Sequence, residues 1–202
     1  PTWIAPELNR LFDRYLGTEW VKNHDNAELW RLVDDIPDEA LWDVRQFLKS
    51  KLMSAIRERV RSQWAEGGIA PQQMSAMGVL LHPEALTIGF FRRFAIYKRP
   101  SLILRDMERL ERILTDQWRP VQIIFAGKSH PADEPSKQLM QQVFSAAADS
   151  RFKGRLAFVE DYDMHVARYL TQGVDILLNT PRRLLEACGT SGMKAALTGV
   201  LH

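Results

Sequence analysis

Short apolar runs alternate with longer amphipathic segments over the second half of the chain. The apolar runs cover residues 86–91, 121–126, 155–160 and 174–179. The segments between them have helical periodicity and cover about 100–116, 133–148 and 163–171. Apolar runs of this length between helices are typical of parallel strands, which connect through right-handed crossovers. The alternation therefore predicts an α/β fold in which a Rossmann-like parallel sheet is flanked by helices.

The first 80 residues predict a helical segment that precedes this sheet. Their longest periodic element begins near Pro37, and its apolar stripe comprises Leu41, Val44, Leu48, Leu52, Ile56 and Val60. We expect its opposite face to meet solvent, with Arg45, Lys49, Arg57 and Arg61. Glycine and proline residues between positions 67 and 78 mark a linker. The sequence thus divides into a helical segment, 1–80, and a sheet domain, 81–202.

Tryptophan is concentrated in the helical segment, where five of the six residues of this type lie within the first 64 positions. Aromatic platforms of this kind can stack on sugar rings. At helical spacing, however, large aromatic side chains more often pack in a core or an interface. We therefore predict that these tryptophans pack in a core or an interface.

Composition excludes several classes of function. No apolar run approaches the roughly 20 residues of a spanning helix, and no signal segment opens the chain, so we expect a cytoplasmic protein without a membrane partner. One cysteine and five scattered histidines have no metal-ligand spacing, so no metal site is predicted. A pI of about 8.9 comes with a net charge of only +2, which argues against a nucleic-acid partner.

Two basic elements indicate an anion site. The Gly-Thr-Ser-Gly loop at 189–192 can bring backbone amides close to a charged group, and Lys194 follows it. Four cations, Arg92, Arg93, Lys98 and Arg99, follow the strand at 86–91. Loops that leave the carboxyl ends of parallel strands line one crevice, so both elements can face one site. Taken separately, the loop also fits an ordinary strand-to-helix turn, and the cations also fit a solvated turn.

Four motifs carry a family resemblance. They are TIGFFRRFAIYKR (87–99), FAGKSHPAD (125–133), VEDYDM (159–164) and LNTPRRLLEACGTSGMK (178–194). In this order and spacing they resemble the carboxyl-terminal catalytic domain of the glycogen and α-glucan phosphorylases of the short bacterial and archaeal type. The first 80 residues resemble the helical segment before that domain. The resemblance implies the carboxyl-terminal half of a GT-B glycosyltransferase.

The resemblance implies a PLP-dependent enzyme, with pyridoxal 5'-phosphate as its cofactor. Such an enzyme catalyses reversible phosphorolysis of an α-1,4-glucan, so inorganic phosphate and glucose 1-phosphate are expected partners. It also implies that this chain is a fragment, truncated at its C-terminus and inactive when isolated, of a longer protein that can form a homo-oligomer.

The resemblance further implies roles for particular residues. Lys194 matches the lysine that holds pyridoxal 5'-phosphate as a Schiff base, and Tyr162 would lie near the cofactor ring. The other cofactor contacts would come from Arg92, Thr190 and Ser191. The residues implied to act in catalysis are Arg93, Lys98 and Lys194. Phosphate and the transferred glucose would be bound by Glu186, Cys188, Gly189, Arg93 and Lys98.

Two departures and two alternatives qualify this interpretation. Leu185 stands where short phosphorylases usually have proline, and Cys188 replaces the usual serine, which matters only if its side chain contacts the sugar. The chief alternative is a nucleotide-sugar glucosyltransferase of the glycogen-synthase type, which would need no Schiff-base lysine at position 194. A noncatalytic basic binding module is the other alternative.

Overall fold

A computed structural model describes residues 2–67 and 69–202. Its strands are β1 (Leu86–Phe91), β2 (Val121–Ala126), β3 (Leu156–Val159) and β4 (Ile176–Leu177). They form one parallel sheet in the order β3-β2-β1-β4. In register, Leu86 lies opposite Val121, and Ile88 lies opposite Ile176. The predicted α/β fold with a parallel sheet is confirmed, although β4 is shorter than the apolar run that predicted it.

Helices precede the sheet, connect its strands and follow the last of them. They are α1 (Pro6–Leu16), α2 (Ala27–Trp30), α3 (Asp38–Gly67), α4 (Pro71–Ala76), α5 (Met107–Leu114), α6 (Glu134–Ala147), α7 (Met164–Gly173) and α8 (Thr190–Leu197). Short 3-10 segments lie at Thr18–Val21, Arg31–Asp35, Ile96–Lys98, Pro100–Arg105 and Ser150–Phe152.

The connection between β1 and β2 corrects one prediction. A single helix at about 100–116 is wrong, because a 3-10 segment, Pro100–Arg105, precedes α5. Asp106 separates them, and its carboxylate accepts a hydrogen bond of 2.9 Å from the amide of Arg109. A side chain that caps a new helix competes with continuation of the preceding one.

Two helical layers cover the sheet. On one face, α3 contributes Leu52 and Ile56 to a core that contains Ile124 and Leu170. On the other face, the core comprises side chains from α5, α6 and the strands, among them Leu110, Val143, Phe90, Phe125 and Phe158. The neighbouring residues Ile124 and Phe125 lie in different cores, as the alternation of side chains along a strand requires. Because both helical layers lie on the faces of the sheet, a site can form at the carboxyl ends of the strands.

A third core joins α1 to the two 3-10 segments that follow it. The rings of Phe12, Trp20 and Trp30 meet edge to face, with centroids 5.4–5.9 Å apart. The predicted packing of tryptophans is confirmed for Trp20, which is buried. Trp42 and Trp64 on α3 are 61% and 54% exposed, so they do not pack in a core of this chain, and their packing in an interface stays a prediction.

The basic face of α3 also departs from its prediction. Arg57 and Arg61 are exposed, but Arg45 and Lys49 are buried. Lys49 pairs with Asp175 at 2.7 Å, and Arg45 donates hydrogen bonds to backbone carbonyls. Hydrophobic periodicity treats every cation as solvent-facing, whereas this part of the interior contains a carboxylate and carbonyl groups that need donors.

Within the described ranges, every helix is either too short or too polar to span a lipid bilayer.

Candidate functional site

The site lies where the chain leaves the carboxyl ends of the strands. Arg92 follows β1, Gly127 follows β2 and Leu178 follows β4. A glycine is required after β2, because a Cβ atom at position 127 would press against the carbonyl of Arg92 and lie 2.7 Å from the Phe94 ring. This close approach brings the β1 and β2 loops together beside the crevice.

A buried cluster of opposite charges lies at this edge. Lys98 Nζ lies 3.1 Å from Glu186 Oε2, and Arg92 Nη2 donates to Glu186 Oε1. The other terminal nitrogen of Arg92 donates to Asn179 Oδ1. The side chains of Arg92, Lys98 and Glu186 are 6%, 9% and 11% exposed. Because they are largely removed from water, their mutual attraction is screened far less than that of a surface pair.

The carboxyl group of Glu186 is held in its charged form. Burial alone would raise its pKa, but hydrogen bonds from Lys98 and Arg92, together with their positive charges, keep the pKa below its ordinary value. Glu186 therefore presents an acceptor-only carboxylate at neutral pH.

Backbone contacts fix the two loops that supply this cluster. Arg99 adopts a left-handed conformation with φ of 51°. Its Nε donates to the carbonyl of Thr180 at 2.7 Å, and Nη2 donates to that of Pro181 at 3.3 Å. In return, the amide of Arg182 donates to the carbonyl of Tyr97 at 2.7 Å. These bonds hold the segment with Lys98 against the segment that leads to Glu186.

Tyr162, which follows β3, borders the cluster beside Arg92. The Tyr162 hydroxyl donates to the carbonyl of Phe91 at 3.3 Å. Burial raises the pKa of this phenol, and the positive charge of Arg92 offsets that only in part. Tyr162 is therefore a neutral donor at pH 7. The Nε of Arg92 is buried without a hydrogen-bond partner within the described part of the chain, so the site contains an unsatisfied donor.

Lys194 lies on α8, whose first turn has no side-chain cap. Its Nζ lies 3.7 Å from the centroid of the Trp3 ring, a cation–π contact with the amino-terminal segment. At the start of this helix, Thr190 is exposed and Ser191 is half-buried. Gly189 lies beside Glu186, since a Cβ atom there would be 3.3 Å from Glu186 Oε1. Cys188 is exposed.

Arg93 differs from its buried neighbour Arg92. It is exposed and lines a neighbouring cavity together with Tyr97, His130 and Arg182. Of the residues that the sequence analysis selected, the structure thus brings Arg92, Lys98, Glu186 and Gly189 into contact or close proximity. Lys194 lies against Trp3, and Arg93 lines the cavity just described. The roles assigned to all of these residues stay predictions.

Two contributors to the geometry, Asn179 and Trp3, could not be predicted from the sequence. Asn179 lies inside the motif at 178–194, but nothing in its residue type indicates that it binds Arg92. Arg99 was predicted as one of the cations of the anion site, but it instead donates to backbone carbonyls of the neighbouring loop. Trp3 lies 191 positions before Lys194 along the chain, so no local pattern could have connected the two. In the described ranges, no group of three or more His, Cys, Asp or Glu side chains could hold a metal ion.

Comparisons with known proteins agree with the architecture. A sequence model of the carbohydrate phosphorylase family matches residues 2–202. The glycogen phosphorylase of Aquifex aeolicus is 51% identical over 202 residues, which are all of this chain and 29% of that protein. The maltodextrin phosphorylase of Thermococcus litoralis is 43% identical over 201 residues, which cover 100% of this chain and 24% of that protein. A glycogen phosphorylase of Mycobacterium tuberculosis is also 43% identical and is covered over 23% of its length.

The chain therefore spans less than a third of the length of these relatives. The family match extends through both the helices that precede the sheet and the loops that build the charged cluster. The chain belongs to the carbohydrate phosphorylase family.

Proposed function

We propose that the protein containing this chain is a glycosyltransferase that catalyses reversible phosphorolysis of α-1,4-glucans to glucose 1-phosphate, with pyridoxal 5'-phosphate as cofactor. The observation that carries the proposal is the buried cluster of Arg92, Lys98 and Glu186 at the carboxyl edge of a parallel sheet. Such a cluster combines cations for phosphate with a carboxylate for sugar hydroxyls. The similarity to proteins named glycogen and maltodextrin phosphorylase supports the same activity.

The residues present fit the proposed cofactor. Lys194 supplies a primary amine beside the flat ring of Trp3. For the cofactor phosphate, Arg92 offers an unpartnered buried Nε, and Thr190 and Ser191 begin a helix with no side-chain cap. Tyr162 would lie beside the ring as a neutral donor. When bound, pyridoxal 5'-phosphate supplies a phosphate group that can hold and return a proton next to the substrate phosphate.

The cations in the loop after β1 would offset the repulsion between two bound phosphate groups. Two unit charges about 4 Å apart repel by roughly 4 kcal/mol at an effective dielectric constant of 20. Two phosphate groups in one crevice therefore require neighbouring positive charge. We assign Arg93 and Lys98 to inorganic phosphate, Arg93 through its planar fork of donors and Lys98 as a point charge. Because Arg93 now lines the adjacent cavity, its side chain would turn toward the crevice when phosphate binds.

The Glu186 loop is assigned to the transferred glucose. Glu186, kept charged by its two cations, would accept hydrogen bonds from sugar hydroxyls. The backbone at Cys188 and Gly189 would supply further contacts, so the replacement of serine by cysteine is tolerated. A carboxylate already bound by Arg92 and Lys98 is a weak nucleophile. Glu186 would therefore stabilise the positive charge that develops on the departing sugar rather than attack it.

Several properties of the whole protein belong to the same proposal. We place the enzyme in the cytoplasm and divide this chain at about residue 80 into a helical segment and a cofactor-binding domain. The relatives are more than three times as long as the chain, so we propose that residues outside it complete the glucan site. The isolated chain would then be inactive, and the full-length protein would form a homo-oligomer.

An activity assay tests this function in the complete polypeptide. With an α-1,4-glucan and inorganic phosphate, we expect glucose 1-phosphate to form. Lys98→Met should lower kcat/KM for phosphate by about 100-fold or more, because it removes a cation from a water-poor anion site. Lys22→Met, which removes an exposed lysine directly after the 3-10 segment Thr18–Val21, serves as the control and should have no effect. Consumption of a nucleotide sugar without any reaction with phosphate would instead favour the glycogen-synthase type.

A further inference from the structure

One buried guanidinium binds the carboxyl ends of two helices. Arg45 on α3 is 8% exposed. Its Nη1 donates to the carbonyl of Gln172 at 2.8 Å and to that of Thr198 at 3.1 Å, and its Nη2 donates to the carbonyl of Val174. Gln172 lies in the last turn of α7, and Thr198 is the C-cap residue of α8. The last carbonyls of a helix lack partners within it and favour a nearby cation, so Arg45 caps both helices.

Thr198 connects this cap directly to the lysine on α8. Its amide donates to the carbonyl of Lys194 at 3.2 Å. Its hydroxyl lies 2.9 Å from the carbonyl of Lys194 and 2.9 Å from that of Thr171 on α7. Thr198 is fully buried, which leaves it little room to rearrange. Thr198 therefore contacts both the Arg45 guanidinium and the backbone of Lys194.

The positive charges of Arg45 and Lys49 share one carboxylate, Asp175, which is bound to the sheet. Asp175 Oδ2 lies 2.7 Å from Lys49 Nζ and accepts a hydrogen bond of 2.8 Å from the amide of Thr87 at the start of β1. Asp175 Oδ1 lies 3.9 Å from Arg45 Nη2. Lys49 also donates to the carbonyl of Ala85 at 3.3 Å. Lys49 therefore binds the sheet, whereas Arg45 binds the ends of α7 and α8.

We propose that Arg45 is a positioning residue, which sets the place of α8 and thereby aims the amine of Lys194 at the cofactor. This inference rests on the proposed function, in which Lys194 holds pyridoxal 5'-phosphate. Without the guanidinium, buried carbonyls of both helices lose their donors, and α8 must shift or admit water to satisfy them. The amine moves with the helix that carries it. The separate cluster of Arg92, Lys98 and Glu186, at the opposite edge of the sheet, is left in place.

Titration of the complete polypeptide with pyridoxal 5'-phosphate, followed by cofactor absorbance, tests the positioning role. Arg45→Met and Lys49→Met form a matched pair, because each removes one buried cation next to Asp175. We expect both to lower the midpoint of urea unfolding. Without urea, and at a temperature where both variants are folded, only Arg45→Met should raise the dissociation constant for the cofactor, by about tenfold. Faster hydrogen exchange within α8 should accompany the loss of affinity.

Arg45→Lys provides a second variant if Arg45→Met does not fold. Lysine retains the positive charge but lacks the branched, planar guanidinium that donates to several carbonyls. We therefore expect a dissociation constant between those of the wild-type protein and Arg45→Met. Wild-type affinity in the folded Arg45 variants, or equal weakening in Lys49→Met, would overturn the positioning role while the proposed function stands. If Lys194→Ala binds the cofactor like the wild-type protein, the proposed function fails and the positioning role fails with it.

Discussion

Glu186 illustrates how a single side chain in this protein can serve two needs. Its carboxylate pairs with both Arg92 and Lys98 and offsets one of their two positive charges, and it keeps oxygen lone pairs that can accept further hydrogen bonds. Burial works against the charge, but the two cationic donors outweigh it and hold the pKa of Glu186 below its ordinary value. Removing the carboxylate would leave two buried cations without their partner, which is costly in a water-poor site.

The depressed pKa of Glu186 predicts a particular dependence of stability on pH. A carboxyl group whose pKa is lower in the folded state stabilises the fold above its unfolded-state pKa, about 4.3 for glutamate. This contribution is lost as the pH falls through the folded-state value. The free energy of unfolding of the wild-type protein should therefore exceed that of Glu186→Gln by a constant amount above about pH 5, and the difference should shrink at lower pH. A difference that stays the same down to pH 3 would contradict the assigned ion pairs.

At the scale of elements, two loops form the site because they are bound to each other. Arg99 donates to the carbonyls of Thr180 and Pro181, and Thr180 Oγ1 lies 3.1 Å from the carbonyl of Lys98. The left-handed backbone at Arg99 costs about 1 kcal/mol for a residue other than glycine. The hydrogen bonds between the loops offset that cost and direct Lys98 inward.

Removal of the Arg99 side chain should loosen the loop that carries Glu186. We expect Arg99→Ala to speed amide hydrogen exchange across residues 179–189 by about five- to tenfold, because two hydrogen bonds to that loop are lost. Arg183→Ala changes an exposed arginine of the same loop and is the matched control. Equal exchange rates in the two variants would show that Arg99 does not hold the loops together.

The long helix α3 is an integral part of the sheet core. Leu52 is 1% exposed and faces α7, where a Cβ atom on Gly173 would lie only 2.6 Å from the Cβ of Leu52. The two helices therefore approach so closely that only glycine fits at position 173. A void on this surface cannot close easily, because the backbones already limit each other.

Truncation of Leu52 should therefore destabilise the fold strongly. We expect Leu52→Ala to lower the free energy of unfolding by about 2–5 kcal/mol, through lost burial and a residual cavity. Leu41→Ala alters the same helix at a residue that is 37% exposed, and its cost should be about 1 kcal/mol or less. Urea denaturation of both variants measures the two values. Similar losses at both positions would mean that α3 does not form the core described here.

The sequence predicted the elements of this fold better than their polar contacts. Apolar runs marked β1 and β2 with the observed bounds, because strands buried on both faces are apolar along most of their length. Hydrophobic periodicity predicted the wrong exposure for Arg45. Only the folded structure shows that carbonyls at the ends of α7 and α8 lie within hydrogen-bonding distance of its side chain. The motifs located Lys98 and Glu186, but the pairing of their side chains spans 88 positions and depends on the register of the sheet.

In the whole molecule, two clusters of charged side chains lie at opposite edges of the parallel sheet. The loops with Arg92, Lys98 and Glu186 lie at its carboxyl edge. Its other edge contains the buried cluster around Asp175, which fastens α3 to the sheet and to the end of α8. The helix that carries Lys194 extends between these two regions, so its position responds to both.

The proposed function depends on the amine of Lys194 as the attachment point of pyridoxal 5'-phosphate. The most direct measurement incubates the complete polypeptide with the cofactor, reduces the adduct with borohydride and locates the labelled lysine by peptide mapping. We predict that the label lies on Lys194 and is absent from Lys98 and Lys128. Stoichiometric labelling of a different lysine, with Lys194 unmodified, would contradict the account.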